Sequence, residues 1–295
     1  MRNILLLFTL IFCGCCLGQT TDLMRVEWTR IPQVDSDNSI SRFRSFINFP
    51  IPLSWEGSYL IPGFEYRHIT LDIDDPVPYD ANDAKTFQVF RATMAYTFKF
   101  KNDWRFGARA GVELASNFER ADFLGRDVRF SGAAYLIRDR SAEEVEKPNR
   151  WVIGLQYSTN QGRPFPLPVI NYFRQFHPQW SYSIGTPKTN LKHSFNDKHS
   201  VQAYVSLDGF FSNLQNNRVV TNPDGTTAVA DNISMTQIIS GLGYEFNFAK
   251  NFYFYAYAAY TLYNELRLRD ENRDNVFNLN ENNTGYFRTG VKYKI

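Results

Sequence analysis

The chain closes on Thr284-Gly285-Tyr286-Phe287-Arg288-Thr289-Gly290-Val291-Lys292-Tyr293-Lys294-Ile295. From Phe287 onward every second residue suits an apolar surface, and the residues between them (Arg288, Gly290, Lys292, Lys294) do not. Period-two alternation marks a β-strand with one oily and one charged face. In a soluble sandwich the oily face looks into a core. In an outer-membrane barrel it looks at lipid, and the charged face lines a polar lumen.

Working back from this strand, the same pattern recurs. Phe90, Ala92, Met94, Tyr96, Phe98 and Phe100 alternate with Arg91, Thr93, Thr97 and Lys99; after a tight turn, Trp104 to Leu114 alternates with Arg105, Gly107, Arg109, Gly111 and Glu113. A strand crossing a bilayer obliquely needs about 9–11 residues, and each of these exceeds that. Further strands are predicted at about 23–34, 43–55, 58–73, 128–136, 151–157, 183–195, 201–208, 231–248 and 251–268. The fold class expected is all-β, an antiparallel transmembrane barrel of about twelve strands; ten or fourteen also fit, because the connection 139–149 is long for its side. Short turns fall at Glu56-Gly57, Lys101–Asp103, Asn196–Lys198 and Ala249-Lys250. The long loops 74–85, 118–126, 160–182, 214–230 and 269–283 share the other side. That asymmetry is the pattern of a bacterial barrel, short turns in the periplasm and long loops outside. The stretch 160–182, with its Pro-Phe-Pro-Leu-Pro core, is expected to be a loop over the barrel mouth.

At the other end, Met1-Arg2-Asn3 precedes an apolar run from Ile4 to Phe12 and small residues before Gln19. This is the pattern of a secretory signal peptide, residues 1–18, cleaved after Gly18, with residues 19–295 forming the barrel. A lipoprotein signal acylated at Cys15 or Cys16 is the rival; Phe12, Cys13 and Gly14 fit its usual preceding residues poorly. The only three cysteines lie in this leader, so the rest of the chain has neither disulfides nor thiolate metal sites. Without Arg2 the net charge is about +1, which argues for no nucleic acid or other polyanionic partner. Mean hydropathy is −0.38, a value compatible with a membrane-spanning sheet that hides its apolar residues in alternation.

The early Arg25-Val26-Glu27-Trp28, the Gly18-Gln19 junction, the segment Trp55-Glu56-Gly57-Ser58-Tyr59-Leu60-Ile61-Pro62-Gly63-Phe64-Glu65-Tyr66 and the closing Gly290-Val291-Lys292-Tyr293-Lys294-Ile295 resemble a family of outer-membrane β-barrels common in Bacteroidota. The resemblance implies fold and location in the outer membrane. It carries over no activity, cofactor or catalytic residue.

Asp270 to Glu281 matches the calcium-loop spacing D-x-[DN]-x-[DN]-…-E over twelve positions. Asp270, Asn272, Asp274 and Glu281 would offer side-chain oxygens and Val276 its carbonyl, the hard ligands Ca2+ prefers. Predicted strands flank it where an EF-hand has helices, and Asp- and Asn-rich solvated turns are common in outer loops. No other cofactor is indicated. The predicted lumen-facing set is Arg25, Glu27, Arg42, Arg44, Glu65, Arg67, Arg91, Arg105, Arg109, Glu113, Arg129, Arg288 and Lys292. Two readings stand: a constriction favouring small polar or anionic solutes, or a barrel filled by Arg–Glu pairs that works as a binding or assembly scaffold through its outer loops. Neither names a protein partner; outer-membrane lipid is the partner both require. An enzyme, such as an outer-membrane hydrolase, is not expected. His193-Ser194 and His199-Ser200 are strand neighbours that point to opposite faces and cannot act as pairs.

Overall fold

The computed structural model describes residues 22–34, 36–55, 57–78, 84–101, 103–120, 122–140, 147–158, 165–221 and 225–294; the leader read over residues 1–18 lies outside them. Sixteen strands follow in chain order: β1 (Asp22–Pro32), β2 (Ser39–Asn48), β3 (Ile51–Pro52), β4 (Tyr59–Asp72), β5 (Thr86–Lys101), β6 (Trp104–Ser116), β7 (Val128–Asp139), β8 (Asn149–Ser158), β9 (Phe165–His177), β10 (Trp180–Gly185), β11 (Lys188–Ser194), β12 (His199–Thr221), β13 (Thr227–Ala249), β14 (Phe252–Arg269), β15 (Asn275–Asn280) and β16 (Gly285–Lys294). Neighbours pair antiparallel, and the ring closes because β14 pairs with both β13 and β16 while β16 pairs with β1. Two strands stand off the ring. β3 continues β2 beyond the break at Pro50 and pairs with β4, and β15 pairs only with the outer end of β14. The wall is a closed all-β antiparallel barrel of fourteen strands.

The sequence predicts about twelve strands, with ten or fourteen also fitting; the wall has fourteen, and proline hides one of the two extra strands. Pro166 and Pro168 were grounds for reading 160–182 as a loop, yet both lie in β9. They take positions whose missing N–H faces away from β8, on an edge where no strand needs a donor. The expected single strand 183–195 is a hairpin, β10 and β11, turned at Gly185–Lys188. Adding β9 and dividing 183–195 keeps the parity, so every other connection stays on its expected side.

Residues 214–221 and 227–230, expected in a loop, are strand. β12 and β13 run on as one long hairpin. From Ser200 to Val205 burial alternates along β12, as in a wall strand; from Gly209 to Gln215 every residue is buried. β13 is buried without a break from Ala230 to Met235. Adjacent Phe210 and Phe211 point to opposite faces and are each only 1% exposed, so the hairpin is covered on both sides. Asn213 bridges to Ser116 of β6, six places away round the fourteen-strand ring. The hairpin therefore leaves the wall and crosses the barrel mouth.

Candidate functional site

Two layers fill the barrel interior. The outer layer is apolar. Phe210, Leu214, Val220, Ile233 and Met235 of the crossing hairpin pack with Ile31, Ile40, Ile69, Leu71 and Phe87 from the inward faces of β1, β2, β4 and β5. Inward positions near the outer ends are thus Ile, Leu and Phe, while the same faces lower down carry Arg and Glu. That switch along each strand is what lets the hairpin dock without stranding charges.

The inner layer is a network of ion pairs. Glu27 accepts from Arg44 Nη1 at 3.3 Å, Arg25 Nη1 at 3.4 Å and the Tyr255 hydroxyl at 2.6 Å. Arg44 also reaches Glu65 at 2.9 Å, and Glu65 pairs with Arg67 and Arg91 as well. Arg91 continues to Glu113. Nearer the plug, Asp208 takes Arg42 Nη2 at 2.6 Å, Arg288 Nη2 at 2.8 Å and the Tyr286 hydroxyl at 2.6 Å. Toward the inner end Glu245 accepts from Lys192 at 3.0 Å, Lys294 at 3.4 Å, Lys292 and the Tyr257 hydroxyl. Most of these groups are nearly inaccessible to solvent. Charges so buried are held by opposite charges and hydrogen bonds at close range, here through the Nη atoms, while the Nε of Arg42, Arg44 and Arg288 makes no hydrogen bond among the described residues.

The residues read as lumen-lining have unequal places in the structure. Arg42, Arg44, Glu65, Arg67, Arg91, Glu113, Arg288 and Lys292 are members of the network. Arg105 is tied to the inner turn, donating to the Gly57 carbonyl at 2.7 Å and lying over Tyr59. Arg129 stacks on Phe211 at 4.1 Å and donates to Asn232 at 3.1 Å, so it pins the crossing hairpin. Arg109 is exposed and, among the described residues, has no ion pair. It faces a polar cavity of about 290 Å³ shared with Arg44, Asn48, Thr93, Ser131 and Ser158. The sequence reading missed Asp208, Glu245, Lys192, Tyr255 and Tyr286. Their alternation was legible, but which carboxylate meets which cation depends on barrel register.

The predicted calcium loop does not close around one point. The Asp270 carboxylate accepts the Asp274 N–H at 2.8 Å in a tight turn. Val276 belongs to β15, whose pairing sets Asn275 beside Arg269 and Asn280 beside Leu266. Glu281 lies beyond that far end, about 10 Å or more from Asp270 at roughly 3.3 Å per residue, whereas calcium ligands share one ion at about 2.3–2.6 Å. Asn272 lies in the turn itself. Among the described residues no group of three or more His, Cys, Asp or Glu could hold a metal.

The hairpin is latched to the connection between β6 and β7. Asp127, in the 3-10 turn Gly125–Asp127, accepts from Asn213 at 2.7 Å, Gln215 at 2.7 Å and the Leu124 N–H at 2.8 Å. Arg126 pairs with Asp231 at 2.6 Å, and Arg218 with Glu119. Burial alone would raise the Asp127 carboxyl; its hydrogen bonds hold it below the ordinary carboxylate value.

A family model described as a domain of unknown function, DUF6268, matches residues 86–294. The chain belongs to the DUF6268 family. No curated protein matches it. Among solved structures it is similar to the KdgM porin (8% identity, 92% of this chain and 99% of that chain, TM-score 0.37). It is similar to outer membrane phospholipase A from Escherichia coli (9%, 93% and 97%, TM-score 0.36). It is also similar to the P. putida toluene transporter TodX (10%, 93% and 90%, TM-score 0.37). At such scores none of them says what a DUF6268 barrel does.

Proposed function

We propose that this DUF6268 chain is a bacterial outer-membrane barrel stoppered from the outside, which acts as a surface scaffold and not as a standing pore. The observation that carries this reading is the unbroken two-sided burial of residues 209–215 and 230–235 across the mouth. The membrane placement rests on the wall. Its outward faces expose Trp28, Phe64, Phe90, Phe130, Leu242 and Phe287, an arrangement that in water would be a liability and in lipid is the required surface. Aromatic contacts gather at the short-turn ends, among them Phe98–Phe106, Trp151–Tyr172, Trp180–His193 and Phe252–Tyr293, as in an interfacial girdle. Export through a leader cleaved after Gly18, and kinship with barrels common in Bacteroidota, belong to the same proposal. In this reading the surface formed by the latched hairpin and the β6–β7 connection meets a partner. The chain is assigned no catalytic centre and no calcium.

Planar-bilayer recording of the refolded barrel, its folding checked by a heat-dependent gel shift, tests it. A silent membrane is expected; reproducible conductance steps from the intact chain would overturn the stoppered reading. A second reading, passage of small anions when the hairpin withdraws, is favoured by one observation: Arg109 faces the polar cavity with Arg44 and Arg91 and makes no ion pair among the described residues with the two carboxylates that also line it, Asp22 and Glu65.

A further inference from the structure

β10 has six residues and β11 seven. A strand needs about 9–11 to cross a bilayer, so the turn joining these two at their outer end cannot reach the outer surface. Pairing locates it. Gly185 lies beside Asn171, and β9 continues six residues further to Phe165, about 20 Å along the strand. On the other side Lys188 lies beside Ser206, beyond which β12 turns inward to the mouth. The wall therefore has a notch in its outer half, bounded by β9, the Gly185–Lys188 turn and β12.

The notch is finished for contact with a medium that offers no hydrogen bonds. Thr186 N–H donates to the Ile170 carbonyl at 3.0 Å, and its hydroxyl donates to the Pro168 carbonyl at 2.8 Å. Gly185 N–H meets the Thr189 hydroxyl at 2.9 Å. The Pro187 carbonyl takes the Leu207 N–H at 3.0 Å and the Lys188 carbonyl the Asn171 amide at 3.2 Å. On the β9 edge, Pro166 and Pro168 have no N–H to leave bare. On the β12 edge, Gly209 N–H is met by the Asp208 carboxylate at 2.8 Å. Irregular backbone at membrane depth is tolerated only with its polar groups met in this way. The side chains around it, Pro166, Pro168, Ile170, Ile184, Pro187 and Val205, are exposed. An apolar groove of about 710 Å³, lined by Ile184, Leu191, Val205 and Leu242, continues below.

We propose that this notch seats a hydrocarbon chain of a lipid of the surrounding outer leaflet, lying against the Gly185–Lys188 turn and running down the groove. An added β-strand is the other candidate for two open sheet edges, but strand addition needs free N–H and C=O groups in register. Proline and side-chain capping have removed several of them here. A hydrocarbon chain needs none. The proposal rests on the membrane reading given above.

The only cysteines of the chain are at positions 13, 15 and 16, so in residues 19–295, refolded without the leader, a single introduced cysteine reports one site. T186C and P187C, with L242C on the outward face and S36C in the β1–β2 connection, would carry a bimane label in vesicles of phosphatidylcholine with or without brominated chains. Iodide serves as the aqueous quencher. Labels at 186 and 187 should lose fluorescence to brominated chains as the label at 242 does, and be indifferent to iodide; the label at 36 should show the reverse. If iodide quenches 186 and 187 while bromine quenches 242, the notch holds water and the proposal fails with the membrane reading intact. Protection from both quenchers means that protein fills the notch, which also overturns it. No bromine quenching at 242 would remove the membrane reading itself.

Discussion

Asp127 illustrates how much of the occlusion hangs on single side chains. It is fully buried, and its carboxylate is where the latch meets the hairpin through Asn213 and Gln215. D127A should weaken the latch by about 1.5–3 kcal/mol, the range for a hydrogen bond to a charged group. Hydrogen exchange of residues 209–215 would read this as faster exchange, with wall strands unchanged. The pH dependence follows from the direction of the shift. A carboxyl held below its ordinary value of about 3.9 contributes stability that is complete above that pH and lost as pH falls through the lower, folded-state value. Acidification below about pH 4 should therefore loosen the hairpin in the native chain and have little further effect in D127A. Gly185 is a second such residue. Its φ is +137°, and an added Cβ would lie 1.8 Å from the Ile170 carbonyl oxygen. G185A should cost at least about 1–3 kcal/mol in backbone strain, measurable as a lower urea midpoint of the refolded barrel.

Strands differ in how openly the sequence declares them. β5, β6, β14 and β16 alternate cleanly because one face is apolar and outward and the other looks into a charged interior, and the sequence reading places them within a few residues. β9 hides because its prolines suit an unpaired edge, a condition set by the length of its neighbours β10 and β11 and absent from its own composition. The outer halves of β12 and β13 hide for another reason: covered on both faces, Gly209–Gln215 keeps no period-two contrast to detect. The interior pairs show the same division. That Glu245 faces inward is local information, but that Lys192, Lys292 and Lys294 converge on it comes from β11, β13 and β16 meeting around the ring. E245Q should leave these lysines short of their charge partner and destabilise the barrel by about 3–5 kcal/mol. Urea unfolding followed by the gel shift would check it; a change under about 1 kcal/mol would mean the lysines are solvated.

At the scale of the whole molecule, the plug and the charged interior make opposite demands that one variant can separate. The apolar layer lies over a network in which Glu27, Glu65, Asp208 and Glu245 are each claimed by several cations, while Arg109 has no ion pair among the described residues. Replacing residues 209–236 by Asn-Gly would join Asp208 to Gln237, which already face each other in the β12–β13 ladder. A two-residue type I′ turn suits that connection, and Asp208 keeps Arg42 and Arg288. The wall keeps its pairs up to Asp208 and Gln237, while the mouth loses Phe210, Leu214, Val220, Ile233 and Met235. Such a variant should fold, since β13 keeps its pairing with β14 from Gln237 to Ala249 and only the outer end of β14, Glu265–Arg269, loses its β13 partners, and it should conduct where the parent is silent. Its current should favour anions, because an unpaired guanidinium in a low-dielectric tube attracts them more strongly than it would in bulk water. Adding R109S should reduce that preference without closing the path. A folded, excised barrel that remains silent would show that the ion-pair layer alone seals the lumen; the hairpin would then be needed for the surface it presents and not for closure.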